Sequence, residues 1–303
     1  MTGLSRSRFM ECCRRTGKGR WQQAKATGWA GWRRSGVVRM RDDLSLRSGD
    51  DYPAERMDHR VSGAGEPPIL LLHGWGGSLQ AMDVLSVPLT QHRRVMTVSL
   101  PGFGNSPEPA VPWGTWEYVA VLRRWCELQG VGQADIIGHS FGGRIAIGIA
   151  ARHRDMVGKL VLIDSAGLKP RRSLTTRMKI MTARNLKRAG RIMQGRFEKF
   201  ATKWRDQLGS TDWKLASPVM RRTLVNVIEE DLSGELGTLT TSTLLIWGEK
   251  DAATPLQMGR MMNRLIPGSS LEVIPGAGHF CYLERKGEVL SKIWGHLELP
   301  RAW

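Results

Sequence analysis

Six short, continuous aliphatic runs between residues 67 and 275 constrain the fold more than any other feature of this sequence. Unbroken apolar runs of this length are typical of β-strands in a sheet that is covered on both faces. Segments of helical length separate the runs, and this alternation favours a mostly parallel sheet with helices on both faces. The predicted strands are residues 68–72, 95–100, 134–138, 159–163, 243–247 and 271–274. The sequence therefore predicts an α/β fold.

A long segment without a strand-like run separates the strands that end at Ile163 and begin at Thr243. It is too long for a single crossover connection. Leu174 and Met178 lie at helical spacing within it, and basic residues occupy many of the remaining positions. We therefore expect a helical cap, inserted into the sheet domain at residues 168–241.

The net charge of +17 is concentrated in two parts of the chain. Residues 1–41 contain 11 lysines and arginines against one acidic residue, and residues 168–241 contain 16 against 7. Such blocks attract anionic molecules and surfaces without dictating a fold. We expect residues 1–56 to form a basic, poorly ordered extension, and residues 57–167 and 242–303 to form the α/β core.

Several classes of protein do not fit the sequence. No apolar run approaches the roughly 18 residues of a membrane span, and the first 41 residues lack the apolar block of a secretory signal. The four cysteines form no CxxC pair or Cys/His cluster. Phosphate-cradling and dinucleotide-binding motifs are missing from the expected places. We expect a cytoplasmic protein with no cofactor, no metal and no nucleic-acid partner.

A GxSxG motif, Gly138–Gly142, directly follows a predicted strand and precedes a helix-compatible run. This strand, turn and helix context is that of a nucleophile elbow. The serine of such a turn has a strained backbone, and side chains at the two glycine positions would collide with their surroundings. The N-terminus of the following helix favours negative charge beside the hydroxyl. The motif therefore predicts Ser140 as a nucleophile.

A second glycine-rich turn, His73–Gly77, follows the first strong strand and leaves the backbone open to a reacting carbonyl group. An oxyanion hole needs two donors where negative charge develops. We assign these donors to the backbone N–H groups of Trp75 and Phe141. His73 is expected to bond loop backbone rather than to act as a base, and His139 has no setting that suggests a base.

Partners for the serine follow the last two predicted strands. Asp251 lies in the loop after residues 243–247, and His279 in the loop after residues 271–274. Loops at the carboxyl ends of neighbouring parallel strands converge at one edge of a sheet. We expect His279 to take the serine proton and Asp251 to orient and stabilise the imidazole. Asp164 and Glu249 remain alternative acids.

From about Met57 to Trp294, these motifs resemble the α/β-hydrolase superfamily. The segment Ser99–Ser106 is similar to the family's DLPGFGxS loop, with Ser99 in place of the aspartate. The resemblance implies the α/β-hydrolase fold with a Ser140, His279 and Asp251 triad. One departure lies upstream, where the family usually supplies a pair of antiparallel strands. Here only His59–Ser62 is a candidate, and it is a poor one, so the first strand is missing or unrecognisable.

The residue at the elbow limits which reactions of the family this chain is expected to catalyse. Haloalkane dehalogenases and epoxide hydrolases place aspartate at the elbow, whereas Ser140 indicates acyl transfer to water. Serine members include esterases, lactone and thioester hydrolases, and carbon–carbon hydrolases of the aromatic meta-cleavage type. The last group typically shows asparagine before the serine and tryptophan after the base, where this chain has His139 and Phe280. The leading prediction is therefore a serine hydrolase that cleaves a small or medium carboxylic ester, thioester or lactone.

Two alternatives stay open beside this prediction: a carbon–carbon bond hydrolase, and a non-catalytic binding protein that kept the hydrolase fold. The expected partner is a small-molecule ester. The basic charge of residues 168–241 would favour an anionic substrate or an acidic carrier protein. The same charge is also what the solvated face of amphipathic helices would carry.

Overall fold

A computed structural model describes residues 51–169 and 216–300 of the chain. Within these residues one seven-stranded sheet has the order β1-β3-β2-β4-β5-β6-β7. The strands are β1 (His59–Ser62), β2 (Ile69–Leu72), β3 (Val95–Val98), β4 (Ala134–His139), β5 (Val157–Ile163), β6 (Ser242–Gly248) and β7 (Ser270–Ile274). β1 runs antiparallel to β3, and all other neighbours are parallel. The predicted mostly parallel sheet is confirmed.

Helices cover both faces of the sheet. The α-helices are α1 (Asp83–Leu89), α2 (Thr115–Leu128), α3 (Phe141–Arg152), α4 (Pro218–Glu229), α5 (Ser233–Leu236), α6 (Leu256–Leu265), α7 (Cys281–Glu284) and α8 (Lys286–Leu297). Short 3-10 helices lie at Ala54–Arg56, Leu79–Met82 and Arg154–Met156.

The aliphatic strands are buried because successive side chains point to opposite faces of the sheet. In β2, Leu70 and Leu72 join a cluster with residues of α2 and α3, whereas Ile69 and Leu71 join a second cluster with residues of α1 and α8. The continuous apolar pattern therefore follows from two cores, one on each side of the sheet.

Strand β3 ends earlier than the sequence predicts, at Val98 rather than at residue 100. The next two backbone N–H groups leave the sheet ladder. Ser99 N–H donates to the carbonyl oxygen of Asp58 at 2.8 Å, and Leu100 N–H donates to His73 Nε2 at 2.9 Å. The chain therefore turns towards the loop that follows β2.

Strand β1 corrects the expectation that the first strand is missing or unrecognisable. Its four residues pair with β3 in register, from His59 opposite Val98 to Ser62 opposite Val95. The first three of them are exposed, so no alternating apolar pattern identifies the strand. An edge strand of this kind is specified by the backbone groups of its neighbour rather than by burial.

The packed part of the chain begins before the predicted core boundary at residue 57. Ala54 is buried, and the Tyr52 hydroxyl donates to the carbonyl oxygen of Pro107 at 2.7 Å. The preceding part of the predicted extension, residues 1–50, lies outside the described residues.

Most of the predicted cap, residues 170–215, also lies outside the described residues. Its C-terminal part contains α4 and α5. Leu232 N–H donates to the carbonyl oxygen of Gly167 at 2.9 Å, and Lys169 Nζ lies 2.7 Å from a Glu229 carboxylate oxygen. Residues 167–169 therefore contact residues 229–232 beside the carboxyl end of β5.

Across the described residues, no helix is both long and apolar enough to cross a bilayer. The same part of the chain contains no cluster of three or more His, Cys, Asp or Glu side chains that could hold a metal ion. Cys126 and Cys281 are both buried and carry free thiols.

Candidate active site

Ser140 lies in the sharp turn between β4 and α3. Its backbone has φ 50° and ψ −110°, in the positive-φ region that residues with side chains seldom adopt. Three backbone hydrogen bonds hold this conformation: Ser140 N–H donates to Ile163 at 3.0 Å, and its carbonyl oxygen accepts from Arg144 at 3.2 Å and Ala166 at 2.9 Å. The turn lifts the serine side chain beyond the carboxyl edge of the sheet.

Gly142, two residues after Ser140, permits α3 to approach the end of β2 closely. A Cβ atom at Gly142 would lie 2.2 Å from the carbonyl oxygen of Leu72 and 2.7 Å from that of His73. Backbone atoms cannot yield to such a clash as a flexible side chain would. The predicted collision at this glycine is therefore confirmed, and its cause is the end of β2.

Three side chains predicted to act together form one hydrogen-bonded chain at this edge. Ser140 Oγ lies 3.0 Å from His279 Nε2, and His279 Nδ1 lies 2.8 Å from Asp251 Oδ2. The Asp251 side chain is fully buried, whereas that of His279 is 19% exposed. With Nδ1–H donating to the carboxylate, Nε2 presents its lone pair to the serine hydroxyl.

The Asp251 carboxylate is held by its own loop. Oδ1 accepts from Ala253 N–H at 2.7 Å and Thr254 N–H at 2.9 Å, and Oδ2 accepts from the Thr254 hydroxyl at 2.7 Å. Burial alone would raise the pKa of Asp251, but hydrogen bonds from His279 and Thr254 hold that pKa below its usual value. The carboxylate is therefore ionised where it faces the imidazole.

Sequence analysis did not single out Thr254, which bonds to both carboxylate oxygens of Asp251 through its N–H and hydroxyl. A signal was present in the sequence. A side chain of aspartate often accepts N–H groups two and three residues further on, and threonine is favoured in such turns. The DAAT segment, Asp251–Thr254, has this spacing.

The two alternative acids bond elsewhere. Asp164 Oδ1 accepts from Gly248 N–H at 2.7 Å, and burial raises the pKa of this carboxyl to about 7. Glu249 Oε2 accepts from Gly276 N–H at 2.8 Å. Asp251 is thus the carboxylate that the structure places against the His279 imidazole.

The two residues assigned to the oxyanion hole come together in front of Ser140. The rings of Trp75 and Phe141 pack edge to face with centroids 5.2 Å apart, and Phe103 packs on Trp75 at 4.9 Å. Within residues 51–169 and 216–300, neither the Trp75 nor the Phe141 N–H donates to a loop or turn carbonyl. Phe141 follows Ser140 directly as the first residue of α3, and Trp75 lies in the turn after β2, so the two residues approach each other through their rings.

His73 has the structural setting that the sequence predicts. Its Nδ1–H donates to the carbonyl oxygen of Gly74 at 2.7 Å, and its Nε2 accepts from Leu100 N–H at 2.9 Å. Burial lowers the pKa of His73 to about 4, so the ring is neutral at neutral pH. It fastens the loop after β2 to the loop after β3.

His139 is the second residue that sequence analysis missed. Its Nε2 lies 2.9 Å from the carbonyl oxygen of His279, and the two rings have centroids 4.9 Å apart. The position inside GxSxG is variable in residue type, so spacing alone gave no reason to select it.

Comparison with known proteins agrees with this geometry. Residues 69–292 match the sequence model described as the Alpha/beta hydrolase family. The chain is a member of the alpha/beta hydrolase family. The resemblance inferred from the elbow, the glycine-rich turn His73–Gly77 and the order of the predicted triad is thereby confirmed, together with the α/β-hydrolase fold.

Relatives of this hydrolase include a protein named as a hydrolase and one named as an esterase. The 2-hydroxymuconate semialdehyde hydrolase of Pseudomonas putida is 29% identical over 234 residues, which cover 72% of this chain and 82% of the relative. The pimeloyl-[acyl-carrier protein] methyl ester esterase of Aeromonas hydrophila subsp. hydrophila is 26% identical over 255 residues, which cover 75% of this chain and 94% of the relative.

The hydrolase is also similar to a solved structure. A thermophilic esterase from Thermogutta terrifontis matches with a TM-score of 0.61 and 24% sequence identity, over 80% of this chain and 93% of that chain. At this level of identity the likeness supports the shared fold alone.

Proposed function

We propose that this hydrolase cleaves a small or medium carboxylic ester, thioester or lactone through an acyl-enzyme on Ser140. The observation that carries the proposal is the continuous hydrogen-bonded chain from Ser140 through His279 to Asp251, with distances of 3.0 and 2.8 Å. A hydroxyl bonded to an imidazole that is itself oriented by a buried carboxylate is the arrangement that activates a serine.

The first half of the reaction forms the acyl-enzyme. Ser140 Oγ attacks the ester carbonyl carbon as its proton passes to His279 Nε2, and Asp251 stabilises the resulting imidazolium. The carbonyl oxygen becomes an oxyanion that accepts hydrogen bonds from the Trp75 and Phe141 N–H groups. The bond from the acyl carbon to the leaving oxygen or sulfur then breaks, and the imidazolium gives its proton to the departing alkoxide or thiolate.

The second half repeats these steps with water. His279 removes a proton from a water molecule that attacks the acyl carbon, and the same two N–H groups donate to the oxyanion of the second tetrahedral intermediate. Collapse of this intermediate breaks the bond to Ser140 Oγ, which recovers its proton from the imidazolium. The products are a carboxylic acid and an alcohol or thiol.

A second candidate is a carbon–carbon bond hydrolase of the meta-cleavage type. It is favoured by the 29% identical relative named as a 2-hydroxymuconate semialdehyde hydrolase. Against it stand His139 before the serine and Phe280 after the base, where that group typically has asparagine and tryptophan. The ester reaction is therefore our first choice.

We also propose that residues 168–241 form a cap beside the site and that their positive charge favours an anionic substrate or an acidic carrier protein. The carrier is supported by relatives named as pimeloyl-[acyl-carrier protein] methyl ester esterases. The contacts of residues 167–169 with residues 229–232 beside the carboxyl end of β5 support an insertion at this edge of the sheet.

The decisive experiment labels the protein with a serine-directed fluorophosphonate. We expect one covalent adduct per chain, located at Ser140 by peptide mass spectrometry and lost in Ser140→Ala, together with turnover of p-nitrophenyl esters that the same substitution abolishes. Ester turnover that survives in Ser140→Ala at the wild-type rate would overturn the proposal. An unlabelled, inactive protein would instead support the non-catalytic alternative.

Two carboxylate variants test whether Asp251 is the residue that supports His279. Asp251→Asn should lower kcat by about 10³- to 10⁴-fold, because the amide cannot stabilise the imidazolium and favours the wrong tautomer. Glu249→Gln, two residues away and bonded to Gly276 N–H, should stay within about 2-fold of wild type. Equal losses in both variants would contradict the assignment of Asp251.

Substrate panels separate the two reactions. We expect p-nitrophenyl esters of increasing acyl length to be turned over with a clear optimum, since the optimum reports the depth of the acyl site. Hydrolysis of 2-hydroxymuconate semialdehyde, followed by loss of its visible absorbance, should be slower by at least about 10-fold in kcat/KM. The reverse order would favour the carbon–carbon hydrolase.

A further inference from the structure

His139 occupies a buried position between the nucleophile and the base. It precedes Ser140 at the end of β4, and its side chain is 1% exposed. Rings surround it on the side of the base loop: His279 at 4.9 Å, Phe280 at 5.3 Å and Tyr282 at 4.8 Å between centroids. The imidazole is therefore enclosed by the segment that carries the proposed base.

The hydrogen bond to this segment fixes the tautomer of His139. Its Nε2 lies 2.9 Å from the backbone carbonyl oxygen of His279, and a carbonyl oxygen can only accept. Nε2 therefore carries the proton and donates. Burial, aided by the charge of His279, lowers the pKa of His139 to about 3, while Asp251 acts in the opposite direction. The ring stays neutral at neutral pH.

The other edge of the ring faces the loop that follows β2. A Cβ atom at Gly74 would lie 2.8 Å from His139 Nδ1 and 3.3 Å from Ser140 Cβ. Only a glycine lets this loop approach so closely, and the next residue is Trp75, whose N–H is proposed for the oxyanion hole. His139 thus lies between the loop that carries this donor and the loop that carries the base.

Other bonds hold the residues before His279 in its loop: Gly276 N–H donates to Glu249 and the Ala277 carbonyl oxygen accepts from Lys250 N–H, both at 2.8 Å. This loop lies between β7 and α7 and contains Gly276 and Gly278, of which the first has φ 71°. The Gly278 N–H donates to a Glu284 carboxylate oxygen at 2.9 Å, on the exposed side of the turn. The bond from His139 adds a polar contact at the backbone oxygen of His279 itself.

We propose that His139 is a positioning residue, whose Nε2–H holds the His279 carbonyl so that the His279 imidazole faces Ser140. This inference rests on the proposed serine-hydrolase function. Displacement of a catalytic group by about 1 Å can cost roughly 100-fold in rate, so a single bond to the backbone of the base is sufficient to matter. His139 itself touches no reacting atom.

Two variants at this position separate the hydrogen bond from packing. His139→Gln keeps an N–H donor at a similar distance from the backbone, whereas His139→Leu keeps the bulk and removes the donor. We expect His139→Leu to lower kcat and the rate of fluorophosphonate labelling by about 10- to 100-fold, with KM within about 2-fold of wild type. On a logarithmic scale, the kcat and labelling rate of His139→Gln should lie at least about halfway from the values of His139→Leu to those of wild type.

A half-buried histidine at the other end of α3 supplies the control. His153 follows α3, and its backbone N–H donates to the carbonyl oxygen of Ile149 at 2.7 Å. His153→Gln should leave kcat unchanged within about 2-fold. Circular dichroism and thermal unfolding verify that every variant is folded before rates are compared.

Nitrogen-15 NMR of the wild-type protein tests the tautomer without any substitution. We expect the His139 ring to show a protonated Nε2 and an unprotonated Nδ1 that persist from pH 8 to pH 5. A ring protonated on Nδ1, or one that becomes charged near pH 6.5, would overturn the proposal even if the leucine variant does not fold.

The outcomes distinguish the two proposals. If Ser140→Ala retains turnover, the serine-hydrolase function fails. If turnover depends on Ser140 but both folded His139 variants keep wild-type kcat, labelling rate and KM, the positioning role alone fails. A glutamine variant as impaired as the leucine variant would also contradict it, because the loss would then follow the shape of the side chain rather than its N–H group.

Discussion

At the scale of single residues, two buried aspartates at one sheet edge have opposite electrostatic settings. The pKa of Asp251 is held below its usual value, whereas burial raises that of Asp164 to about 7. The Thr254 hydroxyl lies between them, 2.7 Å from Asp251 Oδ2 and 2.9 Å from the backbone oxygen of Asp164. Hydrogen bonds and the charge of His279 outweigh burial at Asp251, whereas burial dominates at Asp164.

Asp164 should make the stability of the fold depend on pH. Its pKa is raised on folding, so its contribution is fully present below the unfolded value of about 4 and is lost as pH rises through about 7. Asp164→Asn resembles the protonated acid and can keep the bond from Gly248. Between pH 5 and pH 8, wild type should therefore lose roughly 1–4 kcal/mol more unfolding free energy than the variant.

Chemical denaturation at the two pH values measures this difference. Asp83→Asn, which affects an exposed ion pair with Arg60, provides the surface control and should follow wild type within about 0.5 kcal/mol at both. Parallel pH curves for wild type and Asp164→Asn would contradict the raised pKa of Asp164.

At the scale of elements, three helices are tied together beside the elbow by one carboxylate. Glu230, which follows α4, accepts from the first N–H of α2, at Thr115, with a shorter distance of 2.9 Å. Arg144 of α3 is buried and lies 3.9 Å from the same carboxylate, and it donates to the Glu230 backbone oxygen at 3.3 Å. α3, the helix after the elbow, is thus bonded to the residue that follows α4.

Removal of this carboxylate should destabilise the fold. Glu230→Ala leaves the Arg144 charge less compensated and the N-terminus of α2 without its acceptor, so we expect a loss of about 1–3 kcal/mol in unfolding free energy. Glu127→Ala on α2 breaks only an exposed pair with Arg123 and should cost about 0.5 kcal/mol. Equal midpoints of denaturation for the two variants would contradict a stabilising role of the Glu230 carboxylate between these helices.

At the scale of the whole molecule, positive charge is separated from the α/β core. Residues 42–167 contain 11 basic and 14 acidic residues, and residues 242–303 contain 7 and 6, whereas residues 1–41 and 168–241 carry most of the net charge of +17. A summed field of this kind changes encounter rates with anionic molecules without determining the fold. The residues proposed for catalysis lie in the nearly neutral part.

Salt should therefore separate anionic from neutral substrates. Between 10 and 500 mM salt, kcat/KM for an ester with a free carboxylate should fall by about 10-fold, while a neutral ester of similar size changes little. Substitution of Arg171, Arg172, Arg184, Lys187 and Arg188 by glutamine should remove the difference. If both esters respond alike in wild type and variant, electrostatic selection by the basic segment is wrong.

The sequence by itself determined most of the sheet and the elbow. The six aliphatic runs correspond to β2 to β7, because burial on both faces leaves a continuous apolar pattern that needs no knowledge of the neighbours. The need for glycine at position 142 was also predictable, because a serine on a sharp turn before a helix leaves no room for a neighbouring side chain. The order of Ser140, Asp251 and His279 after three different strands predicted which loops would meet.

Only the tertiary structure decided the contacts between those loops. β1 exists because the open edge of β3 pairs with it, so its own exposed residues carry no pattern. The choice of Asp251 over Asp164, and the bond from His139 to the His279 backbone, depend on how β4 to β7 align. Local patterns record which residues must be buried, but contacts between residues more than a hundred positions apart depend on strand register, which the chain acquires only on folding.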